Sequence, residues 1–155
     1  MHNIVISDTS CLILFQKIGE LDLLRKVYDS VSITPEVAHE FLEKLPDWIR
    51  IENVKDKKYQ EFLETLVDLG EASAIALAKE MESPLLLLDD LKARKLASKL
   101  NLRFTGALGV IHRAKQIGVI DKVRPIIEKL LATDFWISEN IVTELLRKNN
   151  EISGS

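Results

Sequence analysis

Three aspartates stand where two short apolar segments of the chain end. Asp8 follows the run Ile4–Ser7, and Asp89 and Asp90 follow four consecutive leucines at positions 85–88. Short apolar runs that lead into helical patterns are typical of parallel strands buried on both faces. In an open α/β sheet, ligands bind in the crevice beyond the carboxyl ends of the strands. We therefore expect these carboxylates to meet at one edge of a sheet.

Carboxylates gathered at such an edge repel one another unless protonation or a cation compensates for the charge. A divalent metal ion is the simplest compensation, and hard oxygen ligands suit Mg²⁺ or Mn²⁺. Such an ion lowers the pKa of bound water and neutralises charge on a reacting phosphate. The aspartates therefore indicate a metal-dependent enzyme.

Other common catalytic patterns are missing from the sequence. His2, His39 and His112 form no zinc pattern, and there is neither a Gly-rich phosphate loop nor a Gly-x-Ser-x-Gly elbow. The single cysteine, Cys11, cannot form an intramolecular disulfide and is expected to be a small buried hydrophobic residue.

Two glutamates are weaker candidates for the same site. Glu40 lies on the shoulder of the apolar stripe of a helix predicted from Pro35 to about Leu45, so it could face a crevice or be a surface residue. Glu71 opens an alanine-rich helix, where it could equally be a first-turn acid that interacts with the helix dipole.

Three polar neighbours of the aspartates also allow two interpretations. Asp90 could be a metal ligand or the N-cap of the helix that follows it. Thr9 or Ser10 could hydrogen-bond a carboxylate or a bound water molecule, or could cap the helix after Asp8. The sequence leaves these alternatives open.

A net charge of −3 argues against a generally basic nucleic-acid-binding surface, but the cations are unevenly distributed. Residues 91–120 contain no acid and the following basic residues: Lys92, Arg94, Lys95, Lys99, Arg103, Arg113 and Lys115. A basic segment that starts directly after an acidic strand end could hold phosphates beside a metal. It could equally be the solvated faces of two helices.

The chain of 155 residues has the composition of an ordinary soluble domain, with 46% hydrophobic and 29% charged residues. Short strands alternate with helical patterns, which predicts a three-layer α/β/α fold with a central, mainly parallel sheet. Extra C-terminal helices at 123–132 and 138–147 should cover one side. We expect one domain over residues 1–148 and a disordered tail over 149–155. Without a signal peptide or a membrane-spanning window, we expect a cytoplasmic protein.

Four segments, in order over about residues 4–146, resemble the PIN-domain (PilT N-terminus) nucleases, relatives of the VapBC-type toxin ribonucleases. They are the strand into Asp8, residues 34–41 with Glu40, residues 70–78 with Glu71, and residues 87–94 with Asp89 and Asp90. The toxins more often have Asp at the position of Glu71. The fourth segment, Leu-Asp-Asp-x-x-Ala-Arg, together with residues 105–111, is more similar to a PIN-like subfamily than to the well-known toxins.

The resemblance implies a Mg²⁺- or Mn²⁺-dependent endoribonuclease that hydrolyses phosphodiester bonds of single-stranded RNA, or less readily DNA, leaving a 3′-hydroxyl and a 5′-phosphate. The catalytic metal ligands it implies are Asp8, Glu40, Glu71 and Asp89, with Asp90 as a further or alternative ligand and Thr9 and Ser10 beside the metal. The RNA-binding residues would be Lys92, Arg94, Lys95 and Lys99. A small antitoxin protein is an implied partner if the chain is the toxin of a pair.

Two other classes of function compete with this one. A non-catalytic interaction or nucleic-acid-binding module could keep the fold and use the apolar helical segments at 126–131 and 141–146 to form a homodimer or bind a partner helix. A phosphoryl-transfer enzyme of the phosphatase type would need a second Asp where the chain has Ser10. A receiver-type protein would need its acidic pair after the first strand rather than at 89–90.

Overall fold

The computed structural model describes residues 4–135 and 137–152. The described part forms a five-stranded parallel sheet. The strands are β1 (Ile4–Ser7), β2 (Val31–Ile33), β3 (Ile49–Ile51), β4 (Pro84–Leu87) and β5 (Arg103–Thr105). Most of their residues are apolar, and these alternate between two helical layers.

Helices connect and cover these strands. They are α1 (Thr9–Lys17), α2 (Leu21–Tyr28), α3 (Pro35–Glu40), α4 (Lys57–Leu63), α5 (Leu69–Lys79), α6 (Leu91–Lys99), α7 (Ala107–Gln116), α8 (Arg124–Leu131) and α9 (Glu139–Lys148). The predicted α/β fold with a central parallel sheet is confirmed, and every strand pair observed is parallel.

The strand order is β3-β2-β1-β4-β5. The chain first moves outward from β1 through β2 to β3, and then returns to the other side of β1 to add β4 and β5. The order therefore reverses between β1 and β4, which are paired along their full length from Ile4 opposite Pro84 to Ser7 opposite Leu87. A crevice opens at such a reversal, at the carboxyl ends of the two strands.

Two hydrophobic cores lie on opposite faces of the sheet. Val5, Ile33 and Leu87 point into the first core, which is completed by helices α1, α2, α7, α8 and α9. Ile6, Leu86 and Leu88 point into the second, which is completed by α4, α5 and α6. Alternate strand residues thus hold the two helical layers of a three-layer fold.

Helix α5 is the most deeply buried helix of the second layer. All residues from Gly70 to Ala78 are buried, and four of them are alanines. Small side chains allow the helix to pack closely against β1, β4, α3 and α4 at once. Its N-terminal end is therefore fixed firmly relative to the end of β1.

Helix α3 is shorter than predicted. It ends at Glu40, and Phe41 already has an extended backbone, whereas the periodicity had suggested a helix to about Leu45. Phe41 is buried in the first core, but Leu42 is 93% exposed, so the helical spacing of apolar residues beyond Phe41 does not correspond to a buried face. Glu40 consequently lies at the end of the helix rather than along its side.

The C-terminal helices cover the first face of the sheet, as expected. Ile126, Ile127 and Leu130 of α8 and Leu145 and Leu146 of α9 are buried in the first core. No helix within the described ranges is both long and apolar enough to cross a membrane.

Residues 149–152 make specific contacts, so the described chain stays attached to the domain beyond the predicted boundary at 148. Asn149 is buried and its side chain bonds the ring of His112 at 3.0 Å. The Glu151 carboxylate accepts from Lys115 at 2.8 Å and from the N–H groups of Val123 and Arg124 at the start of α8. Burial opposes ionisation of Glu151, but these donors lower its pKa below the ordinary value. The remainder of the predicted tail, 153–155, lies outside the described residues.

The close packing of α5 generates a stability prediction. Ala76 is fully buried, so Ala76→Leu should overpack the second core and reduce the free energy of unfolding by about 1–3 kcal/mol. We expect the midpoint of thermal unfolding to fall by roughly 3–10 °C. The same substitution at the exposed Ala132 is the matched control and should have little effect. Equal midpoints for both variants would contradict this account of α5.

Candidate active site

The ends of β1 and β4 bring the two acidic segments side by side. The Asp8 N–H donates to the Leu87 carbonyl at 3.2 Å, so the pairing of the two strands continues to the last residue before the crevice. On the far side of β4, the Leu88 N–H donates to Thr105 at 2.9 Å. Asp8 and Asp89 therefore leave neighbouring strands at the edge where the strand order reverses.

Asp8 is a buried carboxylate with one oxygen unused. Its side chain is the N-cap of α1 and Oδ1 accepts from the Cys11 N–H at 2.9 Å. Its other oxygen, Oδ2, is buried and has no hydrogen-bond partner in the structure. The residue as a whole is 0% exposed. A buried carboxylate oxygen without a donor is costly unless a proton or a cation accompanies it.

The electrostatics of Asp8 reflect this position. Burial raises its pKa from the ordinary value of 3.8 to about 7, opposed in part by the Cys11 hydrogen bond and reinforced by the negative charges of Asp89, Asp68 and Asp90. Near neutral pH the group therefore sits at the balance between its protonated and ionised forms.

Glu71 is the second perturbed carboxylate. It lies in the first turn of α5, is 6% exposed, and its pKa is raised to about 8. Burial is the largest cause, followed by the charges of Asp68, Asp90 and Asp8. The charge of Asp8 thus raises the pKa of Glu71, so the two acids belong to one electrostatic cluster. Their role as metal ligands stays a prediction.

Asp68 belongs to this cluster but was not among the residues predicted from the sequence. It is the N-cap of α5 and accepts from the Glu71 N–H at 2.9 Å. Its charge acts on both Asp8 and Glu71. An Asp three residues before a Glu is a helix-start signal, and it would have placed the start of α5 before Gly70.

Glu40 is exposed and contacts Thr9, the residue that follows Asp8. The Thr9 hydroxyl donates to Glu40 Oε1, so Thr9 bonds a carboxylate, one of the roles the sequence allowed. Gly70 of α5 lies against this pair, because a Cβ at that position would be 2.5 Å from Glu40 Oε1 and 2.6 Å from Thr9 Oγ1. Only glycine therefore lets α5 approach the Thr9–Glu40 pair this closely.

Helices α3 and α5 are also joined at a buried hydrogen bond. Thr34 Oγ1 caps α3 by accepting from the Val37 N–H at 3.1 Å and lies 2.6 Å from Ser73 Oγ. This contact fixes the orientation of α3 relative to α5, and with it the position of Glu40 above Gly70.

Two hydrogen-bond donors contact the Asp89 carboxylate. Its Oδ2 accepts from the Ala107 N–H at the start of α7 at 3.0 Å, and Arg94 Nη2 lies 3.4 Å from Oδ1. Burial raises the pKa of Asp89, and these two donors oppose that rise. A Cβ at Gly106 would collide with the side chains of Asp89 and Arg94, so this glycine also makes room for the site.

Asp90 has the capping role that the sequence left open. It is exposed, and its Oδ2 accepts from the Ala93 N–H at 2.9 Å at the start of α6. Its charge nevertheless raises the pKa of both Asp8 and Glu71. The capping role therefore does not remove Asp90 from the cluster.

The carboxylates surround one region but are not grouped as ligands of one ion. Within residues 4–135 and 137–152, no three His, Cys, Asp or Glu side chains are arranged to hold a metal. Glu40 is turned toward Thr9 and Asp89 toward Ala107. The chemistry of the donors still fits a hard cation, because Asp8 Oδ2 is buried without a partner and acids surround it.

The remaining predicted residues flank this region. Ser10 is exposed and lines a hollow with Asp89 and Lys17. On α6, Arg94 is half-buried, and the three predicted RNA-binding lysines are exposed: Lys92, Lys95 and Lys99. Cys11 is fully buried, as expected, and burial raises its pKa well above the ordinary value.

The buried charge at Asp8 predicts a pH-dependent stability in the absence of metal. Because folding raises the pKa of Asp8, the folded protein binds more protons than the unfolded chain between about pH 4 and pH 7. The free energy of unfolding should therefore fall as pH rises through this range.

Asp8→Asn should be more stable than wild type by about 1–3 kcal/mol at pH 8 and similar to it near pH 4, measured by urea unfolding in EDTA. Asp121→Asn, at an exposed position, keeps Asp8 and should have the same free energy of unfolding as wild type at both pH values. A destabilised Asp8→Asn protein at pH 8 would refute this description of the buried charge.

The comparisons with known proteins agree with this architecture. No curated protein and no solved structure gives a significant match to the chain. A family model described as a PIN domain matches residues 4–151, which is nearly the whole sequence and includes all the acids described above. PIN domains are in general nucleases. The chain belongs to the PIN-domain family.

Proposed function

We propose that this protein is an endoribonuclease that hydrolyses phosphodiester bonds of single-stranded RNA with the help of Mg²⁺ or Mn²⁺. The observation that carries the proposal is the fully buried Asp8 carboxylate, whose Oδ2 has no partner and which lies among other acids at the reversal of strand order. A protein that only needed an N-cap for α1 could use Ser or Thr there and would not have to bury a charge.

The residues that would hold the cation are Asp8, Glu71 and Asp89, with Glu40 and Asp90 around them. Asp8 is the central member, because it is coupled to the charges of both Asp89 and Asp90. When bound, the ion would polarise the phosphate and favour ionisation of the attacking water. The assignment of Asp89 rather than Asp90 as principal ligand stays a prediction.

The neighbouring residues would position these acids. Thr9 fixes one oxygen of Glu40, and Arg94 together with the Ala107 N–H orients Asp89. Arg94 is itself held by a hydrogen bond of 2.7 Å from Nε to the Leu88 carbonyl. The exposed lysines of α6 start at Lys92, in the first turn after Asp90, and would contact RNA phosphates on that side.

A toxin role, an antitoxin partner, a homodimer and a cytoplasmic location stay predictions of this proposal. The exposed apolar residues of the C-terminal helices that a partner could contact are few. They include Leu131, which is 48% exposed, and Ile141, which is 50% exposed.

A non-catalytic PIN-like interaction module is the second candidate. It is favoured by one observation, namely that no three acids of the described residues are grouped around a single point. This alternative requires that Mn²⁺ does not bind at the Asp8 cluster and that the protein forms a stable dimer or complex. Calorimetry with Mn²⁺ and light scattering on the same sample distinguish it from the nuclease.

The nuclease proposal predicts cleavage that depends on both metal and Asp8. Wild type should cleave a mixed-sequence single-stranded RNA with Mg²⁺ or Mn²⁺ and not in EDTA, as followed on denaturing gels. Asp8→Asn should lower the cleavage rate at least about 100-fold, because the carboxylate that would hold the cation is lost. Circular dichroism should show that this variant remains folded.

The matched control for this experiment is Asp121→Asn, which removes one exposed carboxylate and should cleave at the wild-type rate. Cleavage by Asp8→Asn at the rate of wild type would exclude Asp8 from the reaction. Cleavage by wild type in EDTA would exclude the metal requirement.

The raised pKa values predict that metal binding releases protons. At pH 6 the carboxyls of Asp8 and Glu71 are mostly protonated, since their pKa values are about 7 and about 8. A cation must displace these protons, so Mn²⁺ should bind at least about tenfold more tightly at pH 8 than at pH 6. Calorimetry in buffers of different ionisation enthalpy would measure the released protons. Equal affinity at both pH values would show that these two groups do not hold the ion.

A further inference from the structure

A shallow hollow lies beside the acid cluster, on the outer side of α6 and β5. It encloses about 400 Å³ and is lined by Leu91, Arg94, Lys95, Ser98, Lys99 and Phe104. Each ionisable residue of this lining is a cation. The hollow therefore combines positive charge with apolar surface, and it shares Arg94 with the site around Asp89.

The apolar residues of this hollow are not fully buried in the hydrophobic core. Leu91 directly follows Asp90 as the first residue of α6, and it is 67% exposed. Phe104 of the edge strand β5 is only partly buried against the second core. An exposed leucine alone is ordinary, but one beside an accessible aromatic ring in a hollow lined by cations has the composition of a nucleic-acid contact.

Three contacts position the planar guanidinium of Arg94 in this hollow. Its guanidinium lies over the Phe104 ring, 5.3 Å from the centroid. Its Nε donates to the Leu88 carbonyl at 2.7 Å and its Nη2 lies 3.4 Å from Asp89 Oδ1. Bases of single-stranded RNA stack on aromatic rings and on guanidinium planes of this kind.

We propose that the hollow is a base-binding subsite, which takes one nucleobase of single-stranded RNA next to the phosphate at the acid cluster. The base packs against Leu91 and the Arg94–Phe104 pair, while Lys95 and Lys99 contact the adjoining phosphates. This inference rests on the proposed nuclease function and deepens it, because it assigns base contacts to a surface for which the sequence predicted phosphate contacts alone. The charge of the lining favours RNA over an apolar protein segment as the occupant.

The test compares two fluorescently labelled probes of equal length: a decauridylate RNA and the same sugar-phosphate chain with abasic residues. Binding is measured by fluorescence anisotropy in EDTA, so that cleavage does not interfere. Wild type should bind the RNA about five- to tenfold more tightly than the abasic chain, because only the RNA can stack. Leu91→Ala should reduce this ratio toward one, and Leu91→Trp should increase it. A purely structural role of Leu91 would not produce the increase.

Charge and apolar contact are separated by two further variants. Lys95→Ala should reduce the affinity for both probes by the same factor and reduce the salt dependence of binding, because it removes a phosphate contact. Leu131→Ala, which changes an exposed leucine on the opposite face of the sheet, should leave both affinities unchanged.

The outcomes distinguish the subsite from the proposed function. The subsite proposal is overturned, even if RNA is cleaved, when wild type binds the RNA and the abasic chain equally tightly. It is also overturned when Leu91→Ala leaves the ratio of the two affinities unchanged. A ratio that depends on Leu91 in a protein that cleaves no RNA supports the subsite and refutes the nuclease. Binding of neither probe overturns the subsite, and it favours a protein partner for this surface.

Discussion

The buried carboxylate of Asp8 is the constraint on which the arrangement of the site depends. It lies at the end of a central strand, its Oδ1 starts α1, and its Oδ2 has no partner. Burial and the surrounding acids raise its pKa to about 7, so the fold keeps a group that opposes its own stability at neutral pH. Such a group is understandable if a cation is to bind there, since the charge that destabilises the free protein is then what attracts the ligand.

Several elements of the fold serve to bring other groups close to Asp8 rather than to maximise packing. Gly70 allows α5 to approach the Thr9–Glu40 pair, and Gly106 allows α7 to begin directly over Asp89. The alanines of α5 let that helix lie deep against the sheet, which carries Glu71 into the cluster. Larger residues at these places would separate the helix ends from the strand ends and so increase the distances between the acids.

The sequence was most informative where one physical rule governs a segment. Uninterrupted apolar runs before Asp8 and Asp89 predicted buried parallel strands, and the carboxyl-edge rule then placed both aspartates at one crevice. It was less informative where tertiary contacts decide. Periodicity could not show that α3 ends at Glu40, because Leu42 has the right spacing but no core to face. Nor could it reveal the effect of Asp68 on Asp8, which arises only once α5 lies against β1.

Arg94 connects the acidic region with the basic surface of α6. The charge of its guanidinium lowers the pKa of Asp89, and its position is fixed by Leu88 and Phe104. Lysine could supply the charge but not the planar contact with the ring or the two separate hydrogen-bond directions. One side chain therefore orients a carboxylate of the crevice and lines the neighbouring hollow. A nucleic acid bound to α6 would then be aligned with the acids by the same residue that holds Asp89 in place.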